Sequence, residues 1–123
     1  MSSACLMPLN LSNMRTIQNY EAIEGLVQYP FVIIEYSRAS CAPCRTIKYR
    51  LEIFEKEHDV HVFEVPLDDF PAVAAQRNIL SAPTIEGYVD GKMYLKESGY
   101  FSLDAFLKRY EELMCLEGEV DIK

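Results

Sequence analysis

Residues 31–44 read FVIIEYSRASCAPC, and this stretch decides the fold. Residues 31–36 form a continuous run of β-branched and aromatic side chains that includes a single carboxylate, Glu35. Such a run predicts a strand that is covered on both faces, as the strands of a parallel sheet are. Pro43 follows where the first turn of a helix tolerates proline, and apolar residues then recur at helical spacing. We therefore predict a central strand that leads into a helix over about residues 42–56.

The segments on either side alternate between helical and extended patterns. Before the central strand, Asn19 is predicted to cap a helix that ends near Gln28. After the central helix we predict a strand over residues 60–65 and a short helix that opens at Asp69-Phe70-Pro71 and reaches about Arg77. Residues 84–89 and 92–96 flank Asp90-Gly91, the strongest short-range signal for an antiparallel hairpin. Ser102 is predicted to cap a closing amphipathic helix with an apolar face that extends to Met114.

This order of elements predicts an α/β fold, in which a mixed central sheet is covered by helices on both faces as a three-layer α/β/α sandwich. A chain of 123 residues is long enough for one such domain. We place that domain at residues 14–116, between a loosely ordered arm over residues 1–13 and a C-terminal tail over residues 117–123.

The overall charge restricts the classes of partner. A net charge of -7 with a pI near 4.8 argues against binding to nucleic acid or to an anionic membrane, since both attract clustered Lys and Arg. The first ten residues lack the basic and apolar regions of a signal peptide, and the chain has no apolar run long enough to span a membrane. We expect a cytoplasmic protein.

The motif Cys41-Ala42-Pro43-Cys44 stands at the predicted junction of strand and helix. Free N–H groups and the helix dipole favour an anion there, and a cysteine thiolate is such an anion. Cysteines in Cys-X-X-Cys motifs have lowered pKa values, and the thiolate is the nucleophile of disulfide exchange. The four cysteines are too few for a disulfide scaffold, so reactive or metal-bound thiols are the better interpretation.

At this point the chain resembles the thioredoxin family over most of residues 14–114. The resemblance rests on the apolar strand, the Cys-Ala-Pro-Cys motif, the turn and the closing helix together with two further features, Ala82-Pro83-Thr84 and Gly99. A lone Cys-X-X-Cys motif is a weak signal, whereas this combination is specific. It implies a thioredoxin-like three-layer sandwich and a thiol-disulfide oxidoreductase that reduces protein disulfides.

The resemblance also implies roles for individual residues. Cys41 would be the exposed attacking thiol, Cys44 the more buried resolving thiol, and Glu35 the buried acid that exchanges a proton with the resolving thiol. The residues implied to contact substrate are Ala42, Pro43, Ala82 and Pro83, and Pro83 would be a cis-proline that faces the thiols. The implied partners are protein disulfides and a thioredoxin-reductase-like or other dithiol electron donor. No bound cofactor is expected, because the chain has no glycine-rich nucleotide motif.

The sequence departs from the family pattern at two positions. Ser40 replaces the common tryptophan before Cys41, and the chain contains no tryptophan at all, which leaves the choice of substrate open. Glu64 stands where many thioredoxins have a lysine near the buried acid. If Glu35 and Glu64 face one partly dry pocket behind the thiols, as the resemblance implies, their repulsion and desolvation should raise the proton affinity of one of them. The alternative is that Glu64 points to solvent and contacts nothing important.

A zinc site and a redox-silent adaptor are the rival hypotheses. Cys41, Cys44, His58 and His61 are spaced roughly as in a zinc finger, although His61 falls in a predicted strand rather than a helix. A carrier that serves one dedicated partner is a further alternative to a general reductase. Cys5 and Cys115 have no partner at a useful spacing, and their role stays open.

Overall fold

The computed structural model describes residues 15–16, 25 and 27–122, with the backbone alone given for residues 15–16 and 117–122. The predicted arm over residues 1–13 lies outside the described residues. So does most of the helix predicted to begin at Asn19.

Five strands and three helices make up the described part of the chain. The strands are β1 Arg15–Thr16, β2 Phe31–Ser37, β3 His61–Pro66, β4 Thr84–Val89 and β5 Lys92–Ser98. The helices are α1 Ala42–Glu57, α2 Pro71–Arg77 and α3 Leu103–Ile122. No helix within these residues is both long and apolar enough to cross a membrane.

The strands form one mixed sheet in the order β1-β3-β2-β4-β5. Strands β1, β3 and β2 run parallel, and the hairpin of β4 and β5 is antiparallel. At the turn of this hairpin Asp90 and Gly91 both have positive φ, as the Asp-Gly signal predicts for a tight two-residue connection. Strand β2 lies at the centre, where it pairs with β3 on one side and β4 on the other. Residues 32–36 of β2 are fully buried, which explains why this run lacks the alternation of a half-exposed strand.

Each face of the sheet is covered by helices and has its own apolar cluster. On one face Ile33 of β2 packs with residues of α1 and α3, including Leu51 and Phe106. On the other face Ile34 packs with Val73 of α2. The three-layer α/β/α sandwich with a mixed sheet is therefore confirmed.

The closing helix is longer than predicted. It continues beyond Met114 to Ile122, through most of the residues expected to form a C-terminal tail. Leucine and glutamate are good helix formers, and they continue the helix where the apolar face used for the prediction ends.

A buried polar cluster, which the sequence analysis missed, lies on the face that α2 covers. Glu86 is buried and accepts hydrogen bonds from the hydroxyls of Tyr36 (2.8 Å) and Tyr88 (2.9 Å). Arg77, at the end of α2, donates to both tyrosines and lies 3.5 Å from Glu86. Burial and the neighbouring carboxylate raise the pKa of Tyr36, so that it remains a neutral donor. This network satisfies the buried charge and ties α2 to the sheet.

Helix α3 approaches strand β4 closely at Gly87. A Cβ atom at this position would lie 2.9 Å from Cδ1 of Tyr110, closer than unstrained atoms approach. The Tyr110 hydroxyl is buried in the same contact and donates to the carbonyl oxygen of Tyr88 at 2.5 Å, with that of Val32 at 3.3 Å. The glycine is thus required by the packing of α3 on the sheet.

We predict that Gly87→Ala lowers the free energy of unfolding by about 1 to 3 kcal/mol, because the added methyl group overpacks the contact with Tyr110. Urea denaturation measures the effect. Gly25→Ala is the matched control: Gly25 is helical and exposed, and a Cβ there would meet nothing within 4 Å. The control should be neutral or slightly stabilising. Equal denaturation midpoints for Gly87→Ala and the wild type would contradict the packing argument.

Candidate functional site

The two cysteines of the motif form a disulfide at the start of α1. Their Cα atoms are 5.3 Å apart, and Cys41 is the residue that caps the helix. The backbone N–H of Cys44 donates to Sγ of Cys41 at 3.1 Å. Cys41 is half-buried, whereas Cys44 lies in the buried face of the helix with Ile47 and Leu51. One sulfur is therefore accessible from outside and the other is not.

The start of α1 favours a negative charge on Cys41. No acidic residue lies in the first turn of this helix, so no side chain there competes with the sulfur for the free N–H groups. When the disulfide is reduced, the Cys41 thiolate occupies the position of a helix-capping anion. The helix start thus supplies the electrostatic stabilisation that a thiolate nucleophile needs.

The loop before Cys41 is anchored to the loop after β3. Asp68 accepts a hydrogen bond from the backbone N–H of Ala39 at 2.8 Å and one from Arg38 at 3.1 Å. These contacts, that of Ala39 first, hold the pKa of Asp68 below its ordinary value. The N–H of Leu67 also donates to the carbonyl oxygen of Ser37 at 2.8 Å. The loop that leads to Cys41 is therefore held by the loop after β3 at two points, Ser37 and Ala39.

The proline loop lies at the same end of the sheet as the cysteines. The Ala82-Pro83 bond is cis, and the next residue, Thr84, pairs with Tyr36 near the end of β2. The carbonyl oxygen of Pro83 accepts a hydrogen bond from Gly99 at 2.9 Å. Four residues were predicted to contact substrate. Ala42 and Pro43 are exposed, Ala82 is half-buried and Pro83 is buried.

Glu35 is a buried carboxyl without a hydrogen bond. It is fully buried, and neither of its Oε atoms has a partner among the described residues. The alternation along β2 places it with Ile33 on the face that α1 covers, the face toward which Cys44 is also turned. The structure thus places the predicted acid beneath the helix that carries both cysteines.

Glu64 is the neighbour of Glu35 in the sheet. The two residues are register partners on the parallel strands β2 and β3, so their side chains leave the sheet on the same face. Glu64 is 18% exposed and accepts a hydrogen bond from Ser37 at 2.8 Å. Its other oxygen lies 3.2 Å from Nζ of Lys48. The structure therefore does not support the alternative in which Glu64 points freely to solvent.

The cation beside Glu64 is Lys48, which lies on α1 and not on β3. Lys48 follows Cys44 by one helical turn and reaches Glu64 from the same side of the helix. The sequence analysis missed the pairing of Lys48 with Glu64 and the contribution of Ser37. No sequence signal reveals these contacts, since they depend on how α1 packs over the sheet.

These surroundings raise the pKa of Glu35 from its ordinary value of 4.5 to about 8. Burial is the largest cause, and repulsion by Glu64 acts in the same direction. Lys48 opposes the rise, and Glu52 adds to it weakly. Glu35 therefore holds a proton at neutral pH when the cysteines are oxidised.

The predicted zinc ligands do not come together. His58 is the C-cap of α1, and the fourteen residues by which it follows Cys44 correspond to about 21 Å along the helix axis. Nε2 of His58 lies 2.7 Å from a carboxylate oxygen of Glu111, and the His61 ring stacks on Tyr29. Among the described residues no group of His, Cys, Asp and Glu side chains is arranged to hold a metal ion. The zinc-finger hypothesis was wrong because a continuous helix separates the two halves of the pattern. Cys115 is exposed on α3, and Cys5 lies outside the described residues.

We predict that Glu35 makes the oxidised protein less stable as the pH rises. Its pKa is higher in the folded chain than the ordinary value of 4.5, so folding favours the protonated form. The stabilisation is complete below about pH 4.5 and is lost as the pH rises to about 8, by up to roughly 4 kcal/mol. Urea unfolding of the oxidised protein at several pH values measures this loss, and Glu35→Gln should remove it.

Glu86→Gln is the matched control, since Glu86 is a buried carboxylate on the other face of the same sheet. This variant should keep the decline with pH, whatever its overall stability. Glu64→Gln should move the end of the decline toward lower pH and Lys48→Met toward higher pH, because the two charges act on Glu35 with opposite sign. Parallel curves for the wild type and Glu35→Gln would exclude a buried, titrating Glu35.

Comparison with known proteins places this site in a family. The family model described as Thioredoxin matches residues 14–112. A thioredoxin from Chlamydia caviae is 29% identical over 89 residues, which cover 72% of this chain and 87% of the relative. Thioredoxin-2 from Pyricularia oryzae is 26% identical over 85 residues, or 68% of this chain and 48% of the relative. NADPH-dependent thioredoxin reductase 3 from Arabidopsis thaliana is 29% identical over 70 residues, or 55% of this chain and 13% of that protein.

Solved structures agree on the fold. Thioredoxin from Trypanosoma brucei brucei superimposes with a TM-score of 0.75 at 18% identity, covering 89% of this chain and 96% of the other. The family, the fold and the Cys41–Cys44 pair together support thiol-disulfide oxidoreductase activity in general. This chain belongs to the thioredoxin family.

Proposed function

We propose that this protein reduces disulfides in other proteins through Cys41 and Cys44. The observation that supports this function best is the asymmetry of the pair: Cys41 caps α1 and is partly accessible, whereas Cys44 lies on the buried face of the same helix. A partner disulfide reaches the first sulfur only. The order of the two chemical steps follows from this geometry.

In the first step the Cys41 thiolate attacks one sulfur of the substrate disulfide. A bond forms between Cys41 and that sulfur, and the second substrate sulfur leaves as a thiolate that takes a proton from water. The free N–H groups at the start of α1 stabilise the attacking thiolate before the step. The product is a mixed disulfide between the two proteins.

In the second step Cys44 resolves the mixed disulfide. Its thiol loses a proton, its sulfur bonds to Cys41, and the remaining substrate sulfur leaves as a thiolate that is then protonated. Two electrons have passed to the substrate, and Cys41–Cys44 is oxidised. We assign the proton of Cys44 to Glu35 in its ionised form, which is the minor form at neutral pH because its pKa is about 8. Glu35 then passes the proton to water, and the ionised fraction that can act as the base increases as the pH rises toward 8.

Reduction of Cys41–Cys44 requires two electrons from a dithiol donor. A thioredoxin-reductase-like flavoprotein is the class we propose. One relative bears the name NADPH-dependent thioredoxin reductase 3, and this chain matches 13% of its length. We further propose that the protein works in the cytoplasm, where a reducing environment keeps such a pair supplied with electrons. Its net charge of -7 supports protein partners over nucleic acid.

We predict that Cys44→Ser traps a covalent complex with a disulfide substrate, whereas Cys41→Ser traps little. The first variant keeps the attacking thiolate and loses the thiol that resolves the mixed disulfide. Insulin serves as the substrate, and a non-reducing gel followed by peptide mapping identifies the linked cysteine. The same insulin assay with dithiothreitol measures turnover by the wild type.

Both variants are made in a background of Cys5→Ser and Cys115→Ser, so that neither remaining cysteine contributes to trapping. The background protein itself should turn over insulin as the wild type does. Equal trapping by both variants would contradict the ordered roles. No turnover of insulin, with reduction of one particular partner instead, would replace the general reductase by a dedicated carrier.

A further inference from the structure

The stretch that carries the cysteine pair is basic in an otherwise acidic chain. Residues 37–51 contain four basic residues and no acidic one, whereas the whole chain has a net charge of -7. The four are Arg38, Arg45, Lys48 and Arg50. A positive charge beside a reactive site attracts an anionic partner only where no acid of the protein itself neutralises that charge. The ion pairs of these four side chains therefore decide which of them is available to a partner.

Three of the four cations are each paired with an acid from another element. The pairs are Arg38 with Asp68 at 3.1 Å, Lys48 with Glu64 at 3.2 Å, and Arg50 with Asp104. The fourth cation, Arg45, is exposed and forms no ion pair with any residue that the structure describes. Within the described part of the chain, Arg45 is thus the cation of this stretch whose charge is not matched by an acid.

Arg45 also lies directly beside the cysteine pair. It follows Cys44 in the first turn of α1, and its Nη1 atom lies 3.4 Å from the carbonyl oxygen of Ala39. Ala39 is two residues before Cys41, so the guanidinium reaches back from the helix to the loop on the other side of the motif. Asp68 binds the N–H group of Ala39 at 2.8 Å and is not within ion-pair distance of Arg45. The free charge therefore lies against the loop that leads to the attacking sulfur.

The guanidinium of Arg45 has donors left for a ligand. Arginine carries five N–H donors in a planar fork that matches the two oxygens of a carboxylate, and the contact with Ala39 uses one of them. The residues on either side of Cys41 are Ser40 and Ala42, which are exposed and uncharged. No side chain next to the attacking sulfur in the sequence therefore repels a carboxylate that approaches together with a substrate disulfide.

We propose that Arg45 binds a carboxylate next to the attacked disulfide, so that the protein prefers disulfides flanked by aspartate or glutamate. This inference rests on the proposed function and specifies the substrates of the same site. The acidic side chain of the substrate pairs with the guanidinium while the neighbouring cysteine sulfur meets Cys41. Because Arg45 is exposed, water and salt weaken this ion pair, and the preference is moderate and depends on ionic strength.

The test uses two disulfide peptides that are identical except on both sides of one cysteine, where the first has glutamate and the second glutamine. At low ionic strength the reduced wild type should reduce the glutamate peptide with a kcat/KM about three- to fivefold higher, as expected for one exposed ion pair. Reduction of both peptides by dithiothreitol corrects for their intrinsic reactivity. The ratio should approach one in about 1 M NaCl, which screens the charges. The net charge of -7 would by itself favour the glutamine peptide, so a preference for glutamate has to come from a local cation.

Arg45→Gln should bring this ratio to one or below at low ionic strength, because the remaining charge of the protein repels the glutamate peptide. The ratio compares two substrates of one variant. A general loss of activity, such as one caused by a less stable Cys41 thiolate, therefore cancels.

Lys56→Gln is the matched control. Lys56 is exposed in the last turn of the same helix, forms no ion pair among the described residues, and lies about 16 Å along the helix from Arg45. Its replacement changes the net charge by the same amount and should leave the ratio unchanged. Equal reduction of both peptides by the wild type, a ratio that does not depend on salt, an unchanged ratio in Arg45→Gln, or an equal loss in Lys56→Gln would overturn the inference. Failure of the wild type to reduce either peptide or insulin would instead overturn the proposed function.

Discussion

The burial of strand β2 on both faces is the constraint on which the rest of the structure depends. Residues 32–36 have no contact with solvent, so helices must cover both sides of the sheet. Once they do, β2 ends at Ser37 and α1 starts at Ala42, and the short loop between them holds Cys41 at the helix start. The register of β2 with β4 then brings Pro83 to the same end. The position of the site is thus a consequence of the packing of one strand.

Two carboxyl groups are buried against the same sheet, and they differ in their hydrogen-bond partners. Glu86, on the α2 face, has three hydrogen-bond donors around it, from Tyr36, Tyr88 and Arg77. Glu35, on the α1 face, has none among the described residues. A satisfied buried carboxylate adds to stability and specificity, whereas an unsatisfied one is retained at a cost in stability. The unsatisfied group is the one on the sheet face covered by the helix that carries the cysteines, which is why we assign the proton step to it.

The sequence was sufficient for features whose cause is local or periodic. The continuous apolar run predicted β2, the proline and the helical spacing predicted α1, and Asp90-Gly91 predicted the hairpin. Contacts between elements that are distant in the chain could not be predicted from the sequence. The pairing of Lys48 with Glu64 depends on the packing of α1 over β3, and the hydrogen bonds to Glu86 depend on how α2 and β4 meet β2. The zinc pattern failed because helix α1, which the sequence had predicted over about residues 42–56, holds His58 at the end opposite to Cys41.

The central claim is that Cys41 and Cys44 form a reversible pair that donates electrons to other proteins. The reduction potential of the pair tests it most directly, measured by equilibration with dithiothreitol or glutathione buffers after replacing Cys5 and Cys115 with serine. The account predicts one two-electron transition near about -270 mV, in the range of a protein reductant. A potential near about -120 mV would identify an oxidant of thiols, and the absence of a reversible transition would exclude a redox function.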